Sequence, residues 1–395
     1  MDTSKMRLLS KMTSRSSYEL IEAVRELGKV TATLCDSLES LFLREQIVEI
    51  VEELYDIGNV KEVYEIYGGY VNRNFGLVIQ KSGRTENYFL RKYKKSIGED
   101  EIRFEHLMIN HLIDNGFTTG AGVIVNKEGN TYVKPSNSTS MFAVYEFLKG
   151  EDKYTWDNPD LNDEEYVNSA EVLALFHNAA RDFNPKGLQR HEAKILDFVP
   201  TLPATFKKYA KEDRNTKFHK YFSENIDNII EVIKKNSIDE EDVKKMPLNT
   251  LHYDFHPGNL KYENNKVVGI FDFDWSKIDL RLFEICSSLL YFCSCWDPEH
   301  DGELRLDKCA IFIKNYQDTL KKLDGLKPLN DVELKNLPKM MALANIYLIN
   351  WEATDYYTKL DLNDYEYLAY LKHNVRLIQW IEEHKDELEK VKMVS

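Results

Sequence analysis

No apolar run in this 395-residue chain approaches the roughly 20 residues that a membrane-spanning helix needs. Lys5, Arg7, Lys11 and Arg15 near the N-terminus are not followed by a long apolar stretch, so no signal peptide is expected. Positive charge is in deficit. Lys and Arg number 52 against 66 Asp and Glu, a formal net charge of −14, which argues against a general nucleic-acid binder. Cysteine is sparse: Cys35, Cys286, Cys293, Cys295 and Cys309 are all there is. That odd count, in a long chain without a secretory pattern, suggests reduced thiols and a cytoplasmic location. Cys293 and Cys295 follow the apolar run 289–292, and no second Cys pair or nearby His completes a zinc site, so core packing is expected. Internal repeats and low-complexity tracts are also missing. What remains is a globular composition, 43% hydrophobic and 12% aromatic, long enough to bury a sizeable core.

Against that background two short runs stand out. Residues 251–260 read Leu-His-Tyr-Asp-Phe-His-Pro-Gly-Asn-Leu, and residues 268–274 read Val-Gly-Ile-Phe-Asp-Phe-Asp. From His252 to Asn259 the spacing is H-x-D-x-x-x-x-N, close to a kinase catalytic loop. Phosphoryl transfer needs a carboxylate beside the attacking hydroxyl and oxygen ligands for Mg²⁺ on the phosphates. Asp254 suits the first need, and Asn259 and Asp272 the second. Residues 261–262 and 266–271 read as two strands around the polar turn Glu263-Asn264-Asn265. Such a hairpin returns Asp272 to the neighbourhood of Asn259. On an extended segment Asp274 would share a face with Asp272; it could assist the metal or cap the next turn.

These residues resemble the aminoglycoside phosphotransferase and choline kinase family, small-molecule relatives of protein kinases. The family loop H-x-D-x-H-P-x-N is met in full by His252, Asp254, His256, Pro257 and Asn259. The metal segment G-x-I-D-F is met with Phe271 in place of Ile. The pattern is most similar to homoserine kinase and N-acetylhexosamine kinase types. The resemblance spans residues 47 to 385 at the level of motifs. It implies a bilobal protein-kinase-like α+β fold, with an antiparallel sheet in a small N-lobe and a larger, mainly helical C-lobe.

The rest of the chain is consistent with that expectation. Residues up to 45 read as a polar helical extension outside the resemblance, with Ser16 and Glu19 forming a capping box. Ile47, Ile50, Val51 and Leu54 have helical spacing. Residues 60–79 read as strand, Gly-rich turn, strand. Gly68, Gly69, Asn72 and Asn74 resemble the family's nucleotide loop, glycines letting the backbone approach phosphates. Strand 88–93 ends in Arg91 and Lys92, on opposite faces; the resemblance gives the phosphate-binding role to Arg91, where many relatives have Lys. A helix from Glu101 to Asn115 stops at Gly116. On it Glu105 stands where the family pairs an acid with the strand cation. Strand 141–148 leads to the expected inter-lobe hinge, where backbone near Glu146 and Leu148 would bond adenine. His177, on the helix around 170–177, matches a family position and reads more readily as structural than catalytic. Residues 186–213 could border a substrate site. Residues 239–242 read as a solvated acidic helix start. Glu284 stands where relatives commonly have Asp on a helix bracing the catalytic loop. A final helical pair is expected to begin at Ala342, with Glu352 and Asp355 as acids that could meet an ammonium group.

The division expected is a helical extension over 1–45, a nucleotide-binding N-lobe over 46–148 and a C-lobe over 149–395. The function implied is Mg²⁺-dependent transfer of the γ-phosphate of ATP to a small-molecule hydroxyl, on an amino alcohol, amino sugar or aminoglycoside-like acceptor. Asp254 would be the base, assisted by His252 and Asn259. ATP would lie between the lobes. The protein would be a cytoplasmic monomer or homodimer without nucleic-acid or membrane partners. The alternatives are a catalytically silent nucleotide-binding module and a protein kinase, the latter disfavoured because no A-P-E segment follows Asp272.

Overall fold

The structure, a computed structural model of the chain, describes residues 41–391 except 68–70, 137, 158, 189 and 360–361. The chain forms two compact units: residues up to Lys95 with Ile124–Tyr145, and Ser96–Val123 with Glu146 onward. Helix Glu99–Asp114 thus falls in the second unit, whereas the sequence division puts it with residues 46–148. The proposed capping box at Ser16 and Glu19, together with Gly68, Gly69 and Cys35, lies outside the described residues.

The first unit is built on a five-stranded antiparallel meander with one displaced strand. Its strands are β1 (Asn59–Ile66), β2 (Arg73–Lys81), β3 (Arg84–Lys92), β4 (Val123–Ile124) and β5 (Phe142–Glu146), in the order β1-β2-β3-β5-β4. Ser82 and Gly83, both at positive φ, make the two-residue turn between β2 and β3. Their left-handed backbone matches the twist of the strands they join. Alternation along β2 buries Phe75, Leu77 and Ile79. These meet Ile47 and Val51 of helix α1 (residues 41–54), with Tyr55, Leu90, Phe142 and Val144. Burying each large apolar side chain contributes about 1.5–3 kcal/mol, so this cluster carries the unit.

The second unit is mainly helical. It comprises α2 (Glu99–Asp114), α3 (Asp163–Ala180), α4 (Ile195–Phe198), α5 (Leu202–Tyr209), α6 (Lys217–Lys235), α7 (Glu240–Val243), α8 (Arg281–Cys293), α9 (Leu306–Lys322), α10 (Asp331–Thr358), α11 (Asp364–Glu383) and α12 (Lys385–Val391). Two small sheets interrupt the helices. β6 (Leu248–Leu251) pairs with β9 (Lys277–Leu280), and β7 (Leu260–Glu263) pairs with β8 (Lys266–Ile270). Both pairs are antiparallel. The β7–β8 turn falls at Asn264 and Asn265, both at positive φ, as the sequence of that hairpin predicts.

Helix α10 starts eleven residues before the expected Ala342. Asn330 caps it, accepting from the N–H groups of Val332 and Glu333, while the Glu333 side chain accepts from the Asn330 N–H. Pro338 lies inside the helix. Glu333 also holds Arg281 at the start of α8, with two contacts of 2.7 Å in a fully buried pair. The acidic run at 239–242 is only partly solvated, since Asp242 accepts from Lys335 and Asn336 of α10.

Candidate active site

The sheet pair β6–β9 and helix α8 fix the backbone from which the site is built. Strand β6 delivers His252, which is fully buried. Its Nε2 donates to the Phe271 carbonyl at 2.8 Å, and its Nδ1 accepts from the Asp254 N–H at 3.3 Å. One imidazole therefore ties the loop carrying Asp254 to the segment carrying Asp272. Burial pushes the His252 ring below its ordinary pKa, against the pull of Glu284 and Asp254, so the ring is neutral and its tautomer is set by these two bonds. Through these two bonds His252 positions the loop.

Tyr253 next to it has a φ of 73°, a left-handed conformation that costs a non-glycine residue about 1–2 kcal/mol. Three contacts hold it there. Its N–H donates to Glu284 Oε1, and the His252 N–H donates to Glu284 Oε2 at 3.2 Å. The Lys277 ammonium lies 3.9 Å over its ring. Its hydroxyl donates to Asp279 at 3.3 Å. Glu284 is completely buried and is itself gripped by His177 Nε2 at 2.6 Å, with Tyr316 on the other imidazole nitrogen at 2.8 Å. His177 is therefore structural, and Glu284 braces the loop.

That turn points Asp254 outward with its side chain 27% exposed. Asn259 Nδ2 donates to the Asp254 carbonyl at 2.9 Å and to its Oδ2 at 3.2 Å. His256 Nε2 lies 3.5 Å from the same Oδ2. Since His256 Nδ1 accepts from the Gly258 N–H, Nε2 carries the proton facing Asp254. Among the described residues Oδ1 has no protein hydrogen-bond partner. Burial opposes ionisation of Asp254, but His256, His252 and Asn259 outweigh it and hold the carboxyl below its usual value. Gly258 makes the loop possible: a Cβ there would stand 3.0 Å from the His256 ring and 3.1 Å from the Trp156 nitrogen.

The Phe271 N–H donates to the Asn259 carbonyl at 3.2 Å, so Asp272 follows one residue after a direct link to Asn259. Asp272 has φ 67° and ψ 56°, and a 3-10 turn, Phe273–Trp275, follows it. The segment is thus not extended. The strand alternation invoked to put Asp272 and Asp274 on one face does not operate, and Asp274 is buried.

Sequence reasoning missed several residues around Asp254. His256 was visible as the second His of the loop. Tyr291 of α8, whose ring is 5.1 Å from that of His256, and Trp156, 6.4 Å from Tyr291, carry no local signal. Nor does the cluster beneath Tyr253, where Lys277 donates to Glu192 at 2.7 Å and Tyr347 of α10 donates to Glu192 at 3.0 Å. Glu192 thus brings part of the 186–213 stretch close to Tyr253 of the loop.

In the first unit Arg91 is 4% exposed on β3, an interior strand of the sheet. Its guanidinium lies 5.8 Å from the Phe89 ring and 6.0 Å from the Tyr145 ring. It is not a solvated edge residue, and Lys92 points the other way. Asn72 Oδ1 accepts from the Lys94 N–H at 3.0 Å, tying the end of the nucleotide-loop segment to the chain after β3. Asn74 pairs with Arg91 in the register of β2 and β3. In the second unit Glu105 is buried on α2, which excludes an ordinary solvated glutamate. The Glu146 N–H donates to the Gly122 carbonyl at 2.8 Å, and its carboxylate accepts from the Gly122 N–H at 3.1 Å. Leu148 follows β5 in irregular backbone.

A model of the phosphotransferase enzyme family matches residues 62–326, two thirds of the chain. The chain belongs to this family. This phosphotransferase is similar to the homoserine kinase of Parvibaculum lavamentivorans, at 24% identity over 72% of this chain and 77% of that one. It is 25% identical to the homoserine kinase of Methylocella silvestris, over 76% and 84% of the two chains. Among solved structures its fold is similar to a spectinomycin phosphotransferase in complex with ADP and spectinomycin. The TM-score is 0.59 at 16% identity, covering 86% of this chain and 98% of that one. Choline kinase from Cryptosporidium parvum gives 0.57 at 16% identity, over 82% and 90%. The protein-kinase-like fold of this phosphotransferase is thus shown, and the protein is a small-molecule kinase. No helix of the described residues is long and apolar enough to cross a membrane.

Proposed function

We propose that this phosphotransferase moves the γ-phosphoryl group of ATP to the hydroxyl of a small molecule, in the presence of Mg²⁺, with Asp254 as the base. The observation that carries this is the asymmetry of the Asp254 carboxylate. Asn259 and His256 both engage Oδ2, leaving Oδ1 to accept a hydrogen bond from an incoming hydroxyl and aim it at the phosphorus. A carboxylate kept below its usual pKa is ionised at neutral pH, and orientation with charge stabilisation supplies most of the rate. Proton loss from the hydroxyl can be late.

Asn259 and Asp272 suit Mg²⁺, a hard cation that takes few protein oxygens and fills its shell with phosphates and water. With Asn259 Nδ2 committed to Asp254, its Oδ1 is the atom left for the ion. Bound Mg²⁺ would neutralise phosphate charge. On this reading Arg91 serves the phosphates, Asn72 and Asn74 belong to the phosphate-binding segment of the same unit, and backbone near Glu146 and Leu148 serves the adenine. Free thiols at Cys286, Cys293, Cys295 and Cys309 support a reducing compartment such as the cytoplasm.

A protein kinase is the weaker reading, because only residues 273–280 separate Asp272 from α8, too few for a peptide-binding activation segment. The test is Mg²⁺-dependent ADP release with homoserine, N-acetylhexosamines, choline, methylthioribose and aminoglycosides, and casein as control. Turnover of one small molecule, abolished in Asp254→Ala while nucleotide still binds, is the expected result. Undiminished turnover in Asp254→Ala would remove that residue from its role. Nucleotide binding with no turnover of any acceptor would favour a silent binding module.

A further inference from the structure

Strand β9 buries a lysine under the catalytic loop. Lys277 is 4% exposed. Burial pushes its ammonium below the ordinary lysine pKa, and Glu192 pulls it back. A well-packed apolar side chain often serves a buried position as well as an ion pair does, so the charge needs a reason of its own. Its surroundings supply one. Lys277 Nζ donates to Glu192 Oε1 at 2.7 Å and to the Ala193 carbonyl at 2.8 Å, with Asp279 Oδ2 at 4.0 Å. The same ammonium lies 3.9 Å from the centroid of the Tyr253 ring.

The groups that hold Lys277 belong to one short segment, residues 192–195, at the start of α4. That segment is clasped at further points. The Tyr347 hydroxyl of α10 donates to the two Glu192 oxygens at 3.0 and 3.3 Å, and the Ile195 N–H donates to Asp279 Oδ2 at 2.7 Å. Asp279 Oδ2 also accepts from the Tyr253 hydroxyl at 3.3 Å. Phe283 of α8 lies 4.5 Å from the Tyr253 ring, and Tyr347 lies 5.5 Å from it and nearly perpendicular. Of these four neighbours of the Tyr253 side chain, Lys277, Asp279 and Tyr347 are also the three residues on which segment 192–195 sits.

We propose that Lys277, seated by Glu192, is a positioning residue for phosphoryl transfer: it clamps the Tyr253 ring and thereby aims the carboxylate of the next residue, Asp254. The inference rests on the phosphotransfer reading of Asp254 and names what holds that base in line. Tyr253 sits at a φ of 73°, where one pair of dihedrals sets both the direction of its side chain and the path of the chain into Asp254. A ring free to move lets the residue return to the favoured, negative side of φ. An ammonium over an aromatic face holds it most strongly when both are desolvated, as they are here. Methionine would fill the same space without that hold. Because residues 192–195 seat the lysine, any displacement of that segment is felt at Asp254.

The test uses the full-length protein as wild type, Lys277→Met, the paired Lys277→Met/Glu192→Gln, Tyr253→Leu and Lys277→Met/Tyr253→Leu, with thermal melts confirming that each variant folds. The paired change removes both charges, so it remains measurable where a stranded Glu192 unfolds the single one. The amides of His252, Tyr253 and Asp254 are all hydrogen-bonded, so loosening of the turn is read by hydrogen exchange and mass spectrometry. Turnover is read by Mg²⁺-dependent ADP release with homoserine and the other acceptors named above. The expected result is faster exchange over residues 252–256 in Lys277→Met and in the paired variant, with the sheet of the first unit unchanged. Their kcat should fall about 10- to 100-fold, while acceptor KM and ADP affinity stay within a few-fold of wild type. In the Tyr253→Leu background Lys277→Met should change kcat no further. Unchanged exchange over the loop in the paired variant overturns the inference, whatever the activity. So does an equal loss of kcat with and without the Tyr253 ring, or a rise in KM with kcat intact. Faster loop exchange in a protein whose wild type turns over no acceptor would uphold the clamp and sink the phosphotransfer reading instead.

Discussion

Asn259 holds Asp254 by two handles at once, its single amide nitrogen donating to the backbone carbonyl at 2.9 Å and to the carboxylate at 3.2 Å. The proposed base and the proposed metal ligand are thereby one mechanical unit. An aspartate at 259 is consequently not a conservative change. It would set oxygen against oxygen at both contacts and place a like charge beside the base, which raises the pKa of Asp254.

Asn259→Asp and Asn259→Ala should both lose about 10²–10³-fold in kcat, the usual loss when one preorganised polar contact is removed. Only the aspartate should move the acid limb of the kcat profile to higher pH. Rate–pH profiles of the two variants distinguish them, and a wild-type rate in Asn259→Asp would refute the coupling.

Glu284 should be intolerant of its amide. Its two oxygens receive the N–H groups of His252 and Tyr253 while His177 approaches from behind. In Glu284→Gln the side-chain NH₂ must face either a backbone N–H or His177. We expect a loss of about 1–3 kcal/mol in stability from the mismatched donor, read by urea denaturation. A fall in kcat larger than the change in KM should accompany it, since the brace shapes the loop and touches no ligand. A fall in KM alone would assign Glu284 a different part.

The buried pair Arg281–Glu333 calls for a double-mutant cycle. Removing either partner strands a desolvated charge, at a loss of about 3–5 kcal/mol. Arg281→Met with Glu333→Leu should lose clearly less than the two single changes together. Arg281 also donates to the carbonyls of Lys327 and Pro328, and Glu333 also closes the cap of α10, so the double variant should still fall short of wild type. Strict additivity would show that the pair is not coupled.

Acid should weaken the fold before carboxylates titrate. Burial depresses the pKa of His252, and of His373 beside Asp301, against the pull of nearby acids. A histidine whose folded value lies below the unfolded one binds fewer protons when folded. Its contribution is fully present above about pH 6.5 and is lost as pH falls toward the folded value. Melting temperature should be flat above about pH 7.5 and should decline below about pH 6.5. His252→Gln should flatten that slope by up to one proton, about 1.4 kcal/mol per pH unit. An unchanged slope in the variant would mean that His252 is not a source of it.

The parts of the site written in consecutive residues were legible. His252, Asp254 and Asn259 lie within eight positions, and the Asn264–Asn265 turn brings Asp272 back by local geometry alone. Strand alternation put Arg91 and Lys92 on opposite faces, and Arg91 is the buried one of the two. What distant contacts decide was not legible. Asn345 and Asn374 look like ordinary helix residues until α10 and α11 pack, and Lys277 looks like a surface lysine until Glu192, 85 positions earlier, reaches it. The extended backbone expected for Asp272 and Asp274 failed because no periodicity announces a single left-handed residue. The start of α10 was missed although Asn330 and Glu333 stand at capping-box spacing.

The left-handed backbone at Tyr253 has a consequence for synthesis of the protein. Within residues 251–260 the turn has only the 3.3 Å contact of the His252 ring with the Asp254 N–H across it; the acceptor for the Tyr253 N–H stands 31 positions later, at Glu284. A nascent chain that has emerged only as far as Asn259 already contains the whole motif, yet cannot hold its shape. The same residues excised as a peptide would have no reason to adopt it. The catalytic loop is recognisable as a local word in the sequence, but it is formed only after α8 has left the ribosome.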